Sequence, residues 1–163
     1  MKIKKILFAN PGNFCSKSKT LTEKGKLQVV SVLEDLTPEI AIDKTLIVTS
    51  TTRHAFETAM IIGDSLSLPI EQTESLKLAS SDSYVRKAKN ILEIASKYDC
   101  TTLIIVAHDD DRYVLAHAIM GLVYVNPGFI PFGFGIKSNE ASVAVYNSSP
   151  YGCRIIEPAQ MAA

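Results

Sequence analysis

The chain has 163 residues, 47% of them hydrophobic, and seventeen basic side chains balance seventeen acidic ones. That length accommodates one well-buried core, and no break in composition starts a second, so residues 1–163 read as a single domain. With zero net charge and no Lys/Arg cluster at helical spacing, nothing favours a nucleic-acid or anionic-membrane partner, and no run approaches the roughly twenty apolar residues needed to cross a bilayer.

The basic start Met1-Lys2-Ile3-Lys4-Lys5 is followed by an apolar run too short for a secretory signal, so the expected location is the cytoplasm. Lys5 to Ala9 reads as a strand buried on both faces, because a short continuous apolar run ends in the turn residues Asn10-Pro11-Gly12. After a polar loop, Thr22 is a candidate N-cap and Glu23 suits the first turn of a helix to Leu36, with Leu27, Val30, Val32, Leu33 and Leu36 as its apolar stripe. Thr45 to Thr49 is the second strand, followed by a helix from Thr52 to Leu66 and a weak edge strand over Ile70 to Thr73. The next helix spans Ser83 to Lys97, with Val85, Ala88, Ile91, Leu92 and Ala95 at helical spacing. Thr101 to Ala107 is a third strong strand, and a helix over Asp111 to Met120 follows it. Val125 to Gly135 is rich in Pro, Gly and Phe, which suits a packed loop in which Phe129, Phe132 and Phe134 cover the core, an interface or the crevice. Ser142 to Tyr146 and Arg154 to Ile156 read as late strands at an edge.

Alternating strands and helices imply an α/β fold: a three-layer α/β/α sandwich around a mostly parallel sheet. In such sheets ligands bind beyond the carboxyl ends of the strands. That rule gathers Asn10-Pro11-Gly12, Ser50-Thr51-Thr52-Arg53-His54 and His108-Asp109-Asp110-Asp111, each directly after a strand. Cys15, Cys100 and Cys153 are odd in number and lack the close-pair spacing of zinc or redox sites, so free thiols are expected. Cys15, in the loop beside these segments, is the one with a possible reactive role. The three aspartates read as helix-capping residues rather than metal ligands, so no metal is expected.

Several strings in this order resemble the histidine phosphatase superfamily, the phosphoglycerate mutase-like group, and in size the small phosphohistidine phosphatases. Leu21-Thr22-Glu23-Lys24-Gly25 matches the family's Leu-Thr-x-x-Gly, and Thr49 to Ala59 matches its Ser-Ser-Pro-x-x-Arg-Ala-x-x-Thr-Ala. Ile105-Val106-Ala107-His108 matches the strand that delivers the second family histidine. The resemblance implies a phosphoglycerate mutase-like fold and no cofactor. It also implies a chemistry in which one histidine attacks phosphorus, two arginines and a second histidine hold the phosphoryl oxygens, and an acid protonates the leaving group.

This chain departs from that pattern where the chemistry lies. The family's Arg-His-Gly falls on Asn10-Pro11-Gly12, and its second arginine falls on His54, so Gly12 and His108 alone are retained. Pro11 has neither a nucleophilic side chain nor a backbone N–H, and losing such a nucleophile costs on the order of a millionfold in rate. Arg53 is a neighbour of His54, but adjacent helical residues point about 100° apart. Glu74 and Asp82 fall in the region of the family's general acid, and His117 reads as a half-buried structural residue.

Three readings follow. The first is a degenerate, phosphatase-inactive member, a pseudoenzyme, with a remodelled pocket for a small anionic or polar ligand or a protein partner, contacted by Asn10, Gly12, Ser50, Arg53, His54 and His108. The second is a phosphohistidine or phosphoester phosphatase rewired around His108 as nucleophile or general base. The third is an interaction protein or homo-oligomer with a vestigial pocket.

Overall fold

Six strands form one sheet in the order β3-β2-β4-β1-β5-β6 in the computed structural model, which describes residues 3–77, 80–107, 112–123, 140–148 and 151–159. The strands are β1 (Lys5–Ala9), β2 (Thr45–Ser50), β3 (Ile70–Thr73), β4 (Thr102–Val106), β5 (Val143–Ser148) and β6 (Tyr151–Ile156). β3, β2, β4 and β1 pair in parallel, whereas β5 is antiparallel to β1 and β6 to β5. His108, Asp109, Asp110, Asp111, the Phe129, Phe132 and Phe134 segment and the Cys153 side chain lie outside the description.

Four helices cover the two faces: α1 (Glu23–Leu36), α2 (Arg53–Leu66), α3 (Tyr84–Ala95) and α4 (Arg112–Val123). Alternation along the strands divides the core. Leu7, Ala9, Ile47, Ile104 and Val106 pack with Val29, Val32 and Leu36 of α1 and Ala55, Ala59 and Ile62 of α2. Ile6, Phe8, Leu46, Val48, Leu103 and Ile105 pack on the other face with Ala88 and Ile91 of α3 and Leu115, Ala116 and Ile119 of α4. Every residue of β2 and β4 is buried, as expected of strands with helices on both sides.

Thr22 caps α1, its hydroxyl accepting the Gly25 N–H at 3.0 Å. The expected stripe of that helix needs correction. Its buried residues are Gly25, Gln28, Val29, Val32 and Leu36, while Leu27 is 57% and Val30 52% exposed. Apolar residues occur around much of the helix, and the packing of the loop after β1 onto Gly25 and Gln28 selects the buried side. In α3, Ser83 caps the start by accepting the Arg86 N–H at 3.3 Å, and Val85 is likewise exposed. This helix stops at Ala95, two residues short of the expected end, where the Ser96 hydroxyl bonds back to the Glu93 carbonyl at 2.6 Å.

At the far end of the sheet, Glu39 is clasped between the two halves of the chain. Lys5 Nζ lies 3.0 Å from Glu39 Oε2 and donates to its carbonyl at 2.8 Å, and Arg154 of β6 pairs with the same carboxylate. Burial, then the Arg154 charge, pulls the Lys5 ammonium below its ordinary range. Among the described residues no helix is long and apolar enough to cross a membrane.

Candidate functional site

The register brings the segments named above to one edge. Ala9 lies opposite Val106, Thr49 opposite Val106, and Ser50 opposite Thr73. Asn10, the Ser50-Thr51-Thr52 turn, Glu74 and Ala107 therefore leave the sheet side by side at its carboxyl edge. Of the candidate residues, Asn10, Gly12, Ser50, Arg53 and His54 belong to this corner, and His108 lies outside the described residues.

The turn after β1 is locked on all sides. Asn10 donates its N–H to the Ser142 carbonyl at 3.0 Å, and the buried Pro11 accepts the Ala141 N–H at 2.9 Å. Gly12 donates its N–H to Thr58 Oγ1 at 3.2 Å, and that hydroxyl donates to the His54 carbonyl at 2.9 Å. A Cβ on Gly12 would lie 2.5 Å from the Gly25 carbonyl oxygen, and one on Gly25 would lie 2.0 Å from the Asn13 oxygen. Both positions require glycine because backbone meets backbone there. Thr22 adds a further tie, its hydroxyl reaching Asn13 Oδ1 at 2.7 Å. Gly12, Thr22, Gly25 and Thr58, four of the positions that match those motifs, all serve as fasteners.

His54 is also used structurally. It is 4% exposed, and the Phe14 ring stacks on it with centroids 3.8 Å apart and planes 6° from parallel. Phe14 sits on a small hairpin whose strands meet at Phe14 and Leu21, and Leu21 donates its N–H to Glu57 Oε2 at 2.6 Å. Arg53 is 67% exposed, with Nε 3.5 Å from Glu57 Oε1, so its guanidinium is engaged at the surface. Sequence reasoning did not single out Phe14 or Glu57. The signal available was an aromatic residue in an otherwise polar loop, and a carboxylate one turn after Arg53.

Ser50 Oγ lies 2.9 Å from Thr52 Oγ1 and accepts the Thr52 N–H at 3.2 Å. The Lys77 ammonium, 2.7 Å from Glu74 Oε2, holds the Glu74 carboxyl below its ordinary range, so at neutral pH Glu74 is ionised and poorly suited to donate a proton. Asp82 accepts from Ser75 Oγ at 3.0 Å and lies 3.4 Å from Arg86 Nε. Ser142 Oγ, fully buried, has no hydrogen-bond partner among the described residues. His117 is half-buried on α4, and burial lowers its pKa. Among the described residues no His/Cys/Asp/Glu group has the makings of a metal site.

No protein-family model matches the sequence, and no curated protein matches it. The fold does have solved likenesses along nearly its full length. A mycobacterial glucosyl-3-phosphoglycerate phosphatase complexed with VO3 is 17% identical, with a TM-score of 0.61 over 94% of this chain and 98% of that one. The protein histidine phosphatase SixA, complexed with tungstate, is 14% identical, with a TM-score of 0.62 over 93% and 94%. A phosphoserine phosphatase from Entamoeba histolytica is 11% identical, with a TM-score of 0.58 over 94% and 95%. The chain shares the α/β fold of these solved phosphatases. At such identities the likeness is one of architecture, so the chemistry has to be read from this chain's residues. On that fold, the turn after β1 carries Asn10 and Pro11, and the first turn of α2 carries a histidine shielded by Phe14.

Proposed function

We propose that this protein is a degenerate member of the histidine phosphatase superfamily that lacks ordinary phosphatase or mutase turnover and acts through binding, at a remodelled pocket that takes a polar ligand or a partner. The observation that carries this reading is Pro11. It is buried, its carbonyl is held by Ala141, and its ring offers no electron pair to phosphorus. The neutral Asn10, the shielded His54, the surface-paired Arg53 and the ionised Glu74 add to it, since phosphoryl transfer draws on cationic clamps and a proton donor. The free thiols of Cys15 and Cys100 suit a reducing compartment such as the cytoplasm.

The test is turnover of p-nitrophenyl phosphate and of phosphohistidine by the purified chain. Rates at the level of the uncatalysed reaction are expected, with no covalent phosphate on the protein by mass spectrometry. Turnover that His108→Ala abolishes, with phosphohistidine trapped at His108, would instead establish the rewired enzyme.

A further inference from the structure

Basic residues separated along the sequence gather at one corner of the fold. Lys17 and Lys19 sit on the exposed part of the hairpin between Phe14 and Leu21, Lys24 and Lys26 on the first turns of α1, and Arg53 at the start of α2. The hairpin is held against α2 by the Phe14 ring on His54 and the Leu21 N–H on Glu57. Thr22 leads directly from it into α1. Five cations thus share this corner with three carboxylates, Glu23, Glu57 and Glu140, the last accepting from Asn13 Nδ2 at 3.0 Å and Gln28 Nε2 at 3.3 Å. Lys26 lies 3.0 Å from Glu23 and Arg53 3.5 Å from Glu57, which leaves Lys17, Lys19 and Lys24 without an ion pair among the described residues. The amino-terminal ends of α1 and α2 add positive potential at the same place.

The exposed side of α1 continues the pattern. After the lysines come Leu27 and Val30, 57% and 52% exposed, and then the exposed carboxylates Glu34 and Asp35. From Lys24 to Glu34 the helix advances about 15 Å at 1.5 Å per residue, so its surface passes from positive through apolar to negative within one short segment. A bilayer surface or a nucleic-acid backbone is negative throughout and meets Glu34 and Asp35 as like charges. A peptide segment whose own charge changes along its length meets no such opposition.

We propose that this corner is a docking surface for an amphipathic segment of a partner protein, acidic at the end that meets Lys17, Lys19 and Lys24, apolar over Leu27 and Val30, and basic beyond. The proposal goes further than the binding role above and does not depend on it, because none of these lysines or apolar side chains belongs to the pocket.

The probe is a fluorescein-labelled synthetic peptide with a Glu-rich first half, leucines at helical spacing and a Lys-rich second half, titrated with the full chain and followed by anisotropy. Binding that weakens as salt is raised is expected. The combined variant Lys17→Glu, Lys19→Glu, Lys24→Glu should weaken it about tenfold, the lower end of electrostatic steering effects. Leu27→Ser with Val30→Ser should weaken it independently, and both variants should keep the parent circular dichroism spectrum because all five positions are exposed. A peptide in which every Glu is replaced by Lys should bind less well. Absence of binding, equal binding of both peptides, or a preference for phosphatidylserine vesicles or single-stranded DNA would overturn the proposal. None of these results bears on the phosphatase assay, so the two readings fail separately.

Discussion

Phe14 lies flat on His54, and through that stack a hairpin from the loop after β1 is fixed to the first turn of α2. The position that the sequence resemblance assigns to an arginine thereby becomes part of the packing. Phe14→Ala should cost about 2 kcal/mol, combining lost apolar burial with an aromatic pair, read by urea denaturation. His54→Phe, which keeps the stack, should cost distinctly less than His54→Ala. Equal losses from the two His54 substitutions would show that the imidazole serves through something other than its flat face.

Gly12 and Gly25 meet backbone to backbone, with room for a side chain at neither. Gly25→Ala places a methyl carbon against the Asn13 carbonyl, and the helix start cannot retreat without releasing the Thr22 cap. A loss above about 3 kcal/mol is expected, at the severe end for overpacking. Gly121→Ala, at a position where the added carbon meets nothing within 4 Å, is the control. As a helix-interior substitution it should be neutral or stabilising.

Ala141 adopts φ 59° while donating its N–H to Pro11. A Cβ in the left-handed region is unfavourable by roughly 1–2 kcal/mol, and glycine removes it at some cost in unfolded-chain entropy. Ala141→Gly should therefore stabilise the protein by about 0.5 kcal/mol net, raising its thermal midpoint. A lower midpoint would mean that the methyl group's packing outweighs the strain.

Cys15 is exposed, and hydrogen bonds from the Ser18 backbone and side chain, then from the Lys17 backbone, lower its thiol pKa to about 7. Since the thiolate is the reacting form, iodoacetamide labelling should accelerate as pH rises and reach half its plateau rate near that pKa of about 7. Cys100 is buried, with its thiol pushed upward mainly by burial, so it should label only on unfolding. Cys15→Ser should remove the fast phase, and Ser18→Ala should move the Cys15 midpoint upward.

β1, β2 and β4 were legible because each is a short apolar run cut off by turn residues; β1 and β3 have the bounds expected of them, whereas β5 runs to Ser148 and β6 begins at Tyr151, three residues before its expected start. The caps at Thr22 and Ser83 were legible for a similarly local reason. The buried side of α1 was not, because its apolar residues do not favour one side strongly enough, and Gly25 and Gln28 are buried by a loop from elsewhere in the chain. Asn13, whose N–H bonds to Gln28 Oε1 at 2.9 Å, supplies that contact. In the site, the segment that carries His54 follows β2 to the carboxyl edge of the sheet, as the rule for strand ends implies, yet its partner Phe14 lies forty positions earlier and no local pattern announces their meeting. The lysine corner was missed for the same reason: its members are neighbours only after the hairpin closes on α2.

β1 precedes the other five strands along the chain but sits between β4 and β5, and its two ladders join it to residues 102–106 and 143–147. Among these strands β1 therefore waits without a partner until residues 102–106 have been made, and its second side stays open until residues 143–147 follow. Closure over such sequence separations is entropically slow. For that interval Ile6, Leu7 and Phe8 form an adhesive stretch that chaperones or neighbouring nascent chains meet before the native sheet does.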